Sequence, residues 1–288
     1  MYKNKIIFKP KMIEIGKTNN LVISKKVDFG IYLTDDECSE EILLPKKYIP
    51  NDVNIGDRID AFVHLDSEDR IIATTEKPIA EIGEVAHLKV NDLSSFGAFL
   101  DWGLAKDLLV PFKEQRTPMQ KDKSYSVFIF IDASGRISAS SKLSRYLIEE
   151  NNGDFDEDDK VKLHIASRSP IGYKAVINGT HLGVIHNSEL LQPIKLGLRA
   201  NGYIRMIRDD GRIDLSLQKR GVDVVNNLAN DIISHIANEN NIKLNDKASP
   251  QEIYDIFKVS KSNYKKAVGK LLSEQKIIIE ANIISLIK

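Results

Sequence analysis

The chain has 288 residues, room for two to four small domains that each bury a core. Apolar residues at 42% and charged ones at 28% exclude a disordered chain, and the apolar runs are strand-sized, so no segment spans a bilayer and no membrane partner is expected. The 41 basic residues balance 41 acidic ones, which excludes a binder that relies on surplus cation alone but leaves room for a local basic face.

The start, Met-Tyr-Lys-Asn-Lys, lacks the apolar length of a signal peptide, and the single cysteine, Cys38, excludes an internal disulfide framework and a cysteine metal cluster. A cytoplasmic location is therefore expected. From about residue 12 the chain reads as short strands. "MIEIGKTNNLVISKK" opens a unit, "VDFGIYL" carries a strand with a glycine turn, and "ILLP" is a short strand closed by proline. "DRIDAFVHL" alternates apolar and polar residues as a half-buried strand does, and "DSEDRIIATT" is an acidic turn leading into a last strand. "TEKPIAEIG", with Pro78, is the first boundary.

The same order then recurs. "GEVAHLKVND", "SSFGAFL", "LLVP", "SYSVFIFID" and "DASGRISASS" repeat it, and "DKVKLHIASRS", "SPIGYKAVI", "GVIH", "ANGYIRMIR" and "RDDGRIDLSL" repeat it again. Arg70, Arg136 and Arg212 anchor the three turns at spacings of 66 and 76 residues, too long for a solenoid and right for tandem small β domains. Five short strands with glycine-marked turns fit the partly open barrel of the OB-fold. Between the second and third units, "SKLSRYLIEENNGDFDEDD" holds a short helical turn and an acidic run that reads as a solvated spacer rather than a metal site.

After Lys219 the apolar period changes to that of a helix. Val224, Leu228, Ile232 and Ile236 share a stripe, Ser249 and Pro250 read as an N-cap and first helical residue, and Tyr264, Ala267, Val268, Leu271 and Leu272 point inward on a third helix. "KIIIEANIISLIK" closes as a hairpin, so the tail has the layout of a winged helix. The expected fold is mainly β with an α+β tail. Its domains are expected at 1–77, 78–145 and 146–219 for the five-stranded OB barrels and 220–288 for the winged helix.

At "FGAFLDWG", "LLVP" and "GRISAS" the second repeat resembles the S-one-type RNA-binding domain, named for a ribosomal protein. The whole chain resembles the conserved virulence factor B family of bacterial RNA-binding proteins. That resemblance implies two stacking aromatics on one strand, a histidine after the next strand, and an Asp and an Arg around the last turn. In the second repeat these positions carry Phe96, Phe99, Asp132 and Arg136, with Pro111 where the histidine belongs. In the first they carry Phe29, Tyr32, Asp66 and Arg70, with Pro45 at the histidine position. The third keeps His186 and Arg212, but has Ile171 and Lys174 at the aromatic positions and Arg208 at the aspartate. Its Tyr173 is displaced by one onto the opposite face, so structural and binding roles both stay open.

Four alternatives bear on the site. An odd gap puts Phe96 and Phe99 on opposite faces of an ideal strand unless Gly97 or a turn intervenes, as Gly30 also permits for Phe29 and Tyr32. Trp102 is either a contact or a packing cap, and Arg136 either meets phosphate or braces the turn through Asp132. On the third helix Lys265, Lys266 and Lys270 are either solvated or a nucleic-acid contact. There is no phosphate-cradling glycine loop, no HExxH and no carboxylate cluster for a metal, and His181 and His186 lack catalytic partners, so no catalysis and no cofactor is expected. The reading that follows is a non-enzymatic regulator that binds single-stranded RNA. The rivals are a protein-interaction scaffold on the ribosome or transcription machinery and a winged-helix binder of duplex DNA.

Overall fold

A computed structural model describes residues 13–36, 40–66, 68–190, 193–219, 222–239, 248–280 and 283–287; Cys38 and the side chain of Val224 lie outside the described residues. The chain forms two compact units, Met1–Leu147 and Ile148–Lys288.

The first unit holds two five-stranded barrels. The first is built from β1 (Thr18–Val27), β2 (Gly30–Thr34), β3 (Ile42–Pro45), β4 (Arg58–Leu65) and β5 (Ile71–Thr74). The second uses β6 (Val85–Leu93), β7 (Gly97–Asp101), β8 (Leu108–Pro111), β9 (Ser124–Ile131) and β10 (Ile137–Ser140). Each is closed rather than partly open, because the third and fifth strands pair in parallel: Leu43 with Ile72, and Leu109 with Ser138. The long first strand of each barrel makes closure possible. Its start pairs with the fourth strand and its end with the second, and a register shift bends it between the two, at Ile23/Lys25 and Val90/Asp92.

Alternation sorts the side chains. Leu21, Ile23, Ile31, Leu33, Leu44, Ala61 and Val63 fill the first barrel; Leu88, Val90, Ala98, Leu100, Val110, Val127 and Ile129 fill the second. The second strand needs its opening glycine. A Cβ on Gly97 would lie 2.2 Å from the Val110 carbonyl oxygen, and the same approach recurs at Gly30 against Leu44 and Gly172 against Ile185.

One residue leaves its own barrel. Phe62, between Ala61 and Val63 on β4, points outward and joins the second barrel's core, 2% exposed. Its ring meets Trp102 edge-on at 5.6 Å and 81°. Backbone bonds from Ile79 to the Trp102 carbonyl and from Ile82 to the Gly16 carbonyl fix the connecting segment alongside. The two barrels are thereby packed against each other.

The second unit starts with a third barrel of the same order, β11 (Lys160–Ser169), β12 (Gly172–Ile177), β13 (His181–His186), β14 (Arg199–Ile207) and β15 (Ile213–Ser216), again with a shift in its first strand at Ile165/Ser167. The acidic stretch ahead of it is more ordered than a spacer. Ile148 and Glu150 bridge to His181 and Arg212, the Asn151 side chain accepts from the Asp154 and Phe155 amides, and Asp154 bonds His181.

The tail contains α1 (Val222–Glu239), α2 (Pro250–Phe257), α3 (Lys261–Ser273) and the hairpin β16 (Ile277–Glu280) and β17 (Ile283–Leu286). Ser249 and Glu252 form a reciprocal capping box at the start of α2. Leu228, Ile232, Ile236, Ile253, Tyr264, Val268 and Leu271 make its core, and burial pushes the Tyr264 hydroxyl up to about 12. Leu272 is exposed, contrary to expectation, because Leu271 already occupies the inward side of that turn. Among the described residues, no helix is long and apolar enough to cross a membrane.

Trp102 is the only tryptophan, so its fluorescence reports on the junction of the first two barrels. Phe62→Ala is expected to destabilise the first unit by about 3–5 kcal/mol in urea denaturation followed at Trp102, the cost of truncating a buried phenylalanine. A loss below about 1 kcal/mol would contradict the packing described.

Candidate nucleic-acid interface

On the second barrel the aromatic pair reaches one surface. Ser94 and Gly97 close a turn, with the Ser94 amide donating to the Gly97 carbonyl and the Phe96 amide to Ser94 Oγ, so Phe96 sits in the turn and β7 begins only after it. Strand alternation therefore does not separate the two rings. Phe96 is 72% exposed, Phe99 is half-buried on the outer face of β7, and both line one cleft. A third ring was missed by sequence reasoning. Phe112 follows the strand-closing Pro111, is 57% exposed, and its amide donates to the Phe96 carbonyl at 3.3 Å. The residue after the proline was its only signal.

Trp102 is not a stacking face. It is 4% exposed, one edge is taken by Phe62, and its Nε1 donates to the Lys106 carbonyl at 2.6 Å. It forms the floor of the cleft.

The acidic turns do different work from that expected. Asp132 Oδ1 accepts from the Ser134 and Arg136 amides and the Ser134 hydroxyl, and Oδ2 from Ser138. Burial alone would raise its pKa, and these bonds outweigh that and lower it. Asp66 likewise accepts from the Glu68 and Arg70 amides. Both aspartates are turn caps, with their oxygens directed into their own loops.

Arg136 does not brace Asp132. Its guanidinium forks onto Asp69 of the first barrel, Nε to Oδ1 at 2.9 Å and a terminal nitrogen to Oδ2. This pair holds the Asp69 carboxyl below the usual carboxylate range and raises Arg136. Lys106 Nζ donates to the Asp66 carbonyl at 3.0 Å and lies 3.5 Å from that of Leu65, so the second barrel grips the first barrel's acidic turn at two points. Arg70 stays exposed but is paired with Asp66 at 2.8 Å and Glu68 at 3.0 Å.

The first barrel repeats the frame with other side chains. Phe29 is 59% exposed ahead of β2, as Phe96 is ahead of β7, and Lys46 donates to its carbonyl where Phe112 stands in the second barrel. Tyr32 is half-buried, with Lys25 Nζ over its ring at 4.4 Å.

The third barrel closes its face. Tyr173 is buried in the core, as its displacement by one implies. Ile171 is exposed, and Lys174 pairs with Glu149. His186 Nε2 lies 3.0 Å from Asp214 Oδ1, and Arg208 pairs with the same carboxylate at 2.7 Å. His181 and His186 thus have structural partners. Arg212 is exposed beside Asp210.

On α3, Lys265 and Lys266 are exposed, while Lys270 is committed to Asn226 and Glu274. Among the described residues, no group of three His, Cys, Asp or Glu is placed to hold a metal ion.

Comparison with known proteins agrees with these modules. The S1 domain profile matches residues 15–76 and 82–142, and the CvfB-like winged helix domain matches residues 231–286. YitL of Bacillus subtilis is 29% identical over 96% of this chain and 95% of its own. With two S1 domains and a CvfB-like winged helix, the chain is similar along most of its length to the proteins called conserved virulence factor B. The protein of that name from Staphylococcus epidermidis is 23% identical over 90% of this chain and 87% of its own. A solved structure from Streptococcus pneumoniae, described as a multidomain protein with nucleic acid binding domains, is 22% identical and covers 95% of this chain and 98% of that one at a TM-score of 0.41. The S1 domain and the winged helix are nucleic-acid-binding modules.

The pairing between the two S1 domains is testable by titration. Asp69 is expected to titrate below 3.8 by carboxyl NMR, and to move back up towards it in Arg136→Ala. The pair then stabilises the fold above that value and is lost as pH falls through the Asp69 midpoint. An unchanged midpoint in the variant would contradict the fork.

Proposed function

We propose that this protein binds single-stranded RNA without catalysing a reaction on it, and acts as a post-transcriptional regulator of gene expression. The observation that carries the reading is the bare ring at the same position of each S1 domain, Phe29 on the first and Phe96 on the second, joined on the second by Phe112. A large exposed aromatic contributes nothing to its own core, and two held side by side, as the Phe112 amide bond to the Phe96 carbonyl holds these, mark a contact surface. Unpaired bases offer flat faces to such rings, worth about 1–3 kcal/mol per base and largely independent of sequence. Duplexes hide those faces, which favours single strands.

With zero net charge, stacking contributes more to affinity than attraction to phosphate does. Lys46 beside Phe29, and Lys265 and Lys266 on the winged helix, supply local cations that extend the footprint along a backbone. Arg212 remains the exposed cation of the third barrel's last turn, while His186 supports that barrel's structure.

A second reading has its own support. Arg70 and Arg136 are both neutralised by carboxylates, which suits a protein-docking scaffold better than a polyanion binder. Salt separates the two, since RNA affinity falls steeply with ionic strength and an apolar interface does not.

Fluorescence anisotropy with a short single-stranded RNA should give binding that weakens about 5- to 150-fold in Phe96→Ala, the range expected for one lost stack. Phe29→Ala should act in the same direction. Wild-type affinity in a Phe96→Ala, Phe112→Ala double variant would exclude this surface as the RNA site.

A further inference from the structure

We infer that the cleft between the first two barrels is a single-nucleotide subsite, walled by His64 of the first barrel, in which a backbone phosphate competes with Asp69 for Arg136. The inference rests on the RNA reading above and adds to it a place, a partner barrel and a competitor.

The cleft has a volume of about 450 Å³, with Phe96, Phe99 and Trp102 contributed by the second barrel and His64, Leu65 and Asp69 by the first. Alternation on β4 accounts for the first barrel's share. Ala61 and Val63 face inward, so Phe62 and His64 project towards the second barrel. Phe62 is spent on Trp102, and it also lies beside His64 at 5.9 Å and 26°, which sets the plane of the imidazole. Burial lowers the His64 pKa, so at neutral pH the ring is uncharged and presents a flat π-face. A slot with aromatic rings from both barrels and polar groups around it matches a nucleobase, which has apolar faces and polar edges. The volume admits one such unit.

The rim supplies the phosphate chemistry. Both oxygens of Asp69 face the Arg136 fork, the geometry in which guanidinium also takes two phosphate oxygens. Exposed ion pairs of this kind are weak, and a phosphodiester offers the same fork to the arginine, so the exchange costs little. Lys106 keeps its hold on the Asp66 carbonyl during the exchange, so the acidic turn stays over the cleft while the arginine changes partner. Asp69 is therefore a specificity-determining residue: a carboxylate from one domain standing where RNA phosphate sits on the other.

Anisotropy titrations of the full chain with a fluorescent short oligouridylate test this with opposite signs. Asp69→Asn is expected to bind about two- to fivefold tighter, the scale of one exposed ion pair. His64→Ala, with His64→Gln as a second variant should the first not fold, is expected to bind at least about fivefold weaker. In an Arg136→Ala background, Asp69→Asn is expected to change nothing. Trp102 fluorescence confirms that each variant keeps the barrel junction. If Asp69→Asn and the His64 variants bind as wild type while Phe96→Ala still weakens binding, the subsite is overturned and the RNA reading stands. If the wild type binds no single-stranded RNA, both fall together.

Discussion

The edge-on contact of Phe62 with Trp102 is the constraint on which the first unit depends. Strand alternation leaves Phe62 no place in its own barrel, and Trp102 closes the core of the next. Burying the two rings together turns a pair of small domains into one packed body. Without that wedge, the Arg136–Asp69 fork and the Lys106 grip would each have to hold flexible domains together, and exposed ion pairs are too weak for that. With it, both become fine adjustments on a cleft whose walls are already placed.

The three barrels share a frame and differ at a few equivalent positions. Ahead of the second strand stand Phe29, Phe96 and Ile171, and after the third strand come Lys46, Phe112 and Asn187, each donating its amide to the residue ahead of the glycine. The last turn is capped by Asp66 and Asp132, but in the third barrel Arg208 takes that place and Asp214 supplies the carboxylate, where Ser138 stands in the second. The third barrel thereby reverses the charges and satisfies them internally. The second commits its face to rings, and the first mixes a ring with lysines. The same backbone carries exposed rings in two copies and a closed polar network in the third.

How much of this was legible in the sequence follows from the range of each interaction. The barrels were readable because their pattern is local and written three times: a glycine where the next strand's carbonyl passes within about two ångströms of a would-be Cβ, a proline or histidine that closes a strand, and an acidic turn ending in Arg-Ile before the last strand. Ser249 and Glu252 were readable as a cap for the same reason. The partner of Arg136 was not, because Asp69 lies 67 residues away in another barrel, and local logic offered only Asp132 as a carboxylate partner. The role of Trp102 was not legible either, because its partner, Phe62, belongs to the neighbouring domain. Phe112 carried no periodic signal, since it falls in a single 3₁₀ turn between strands. Lys270 shares its helix with two exposed lysines, and only the fold brings Asn226 to it.

The central claim is that unpaired bases lie against the exposed rings of the first two barrels. Zero-length photocrosslinking with 5-bromouridine-substituted single-stranded RNA, followed by mass spectrometry of the attached peptides, tests it directly. The account predicts adducts on the peptides that carry Phe29, Phe96 and Phe112, lost when an unlabelled strand competes. Adducts confined to residues 148–288, or equal labelling of a variant lacking those three rings, would contradict it.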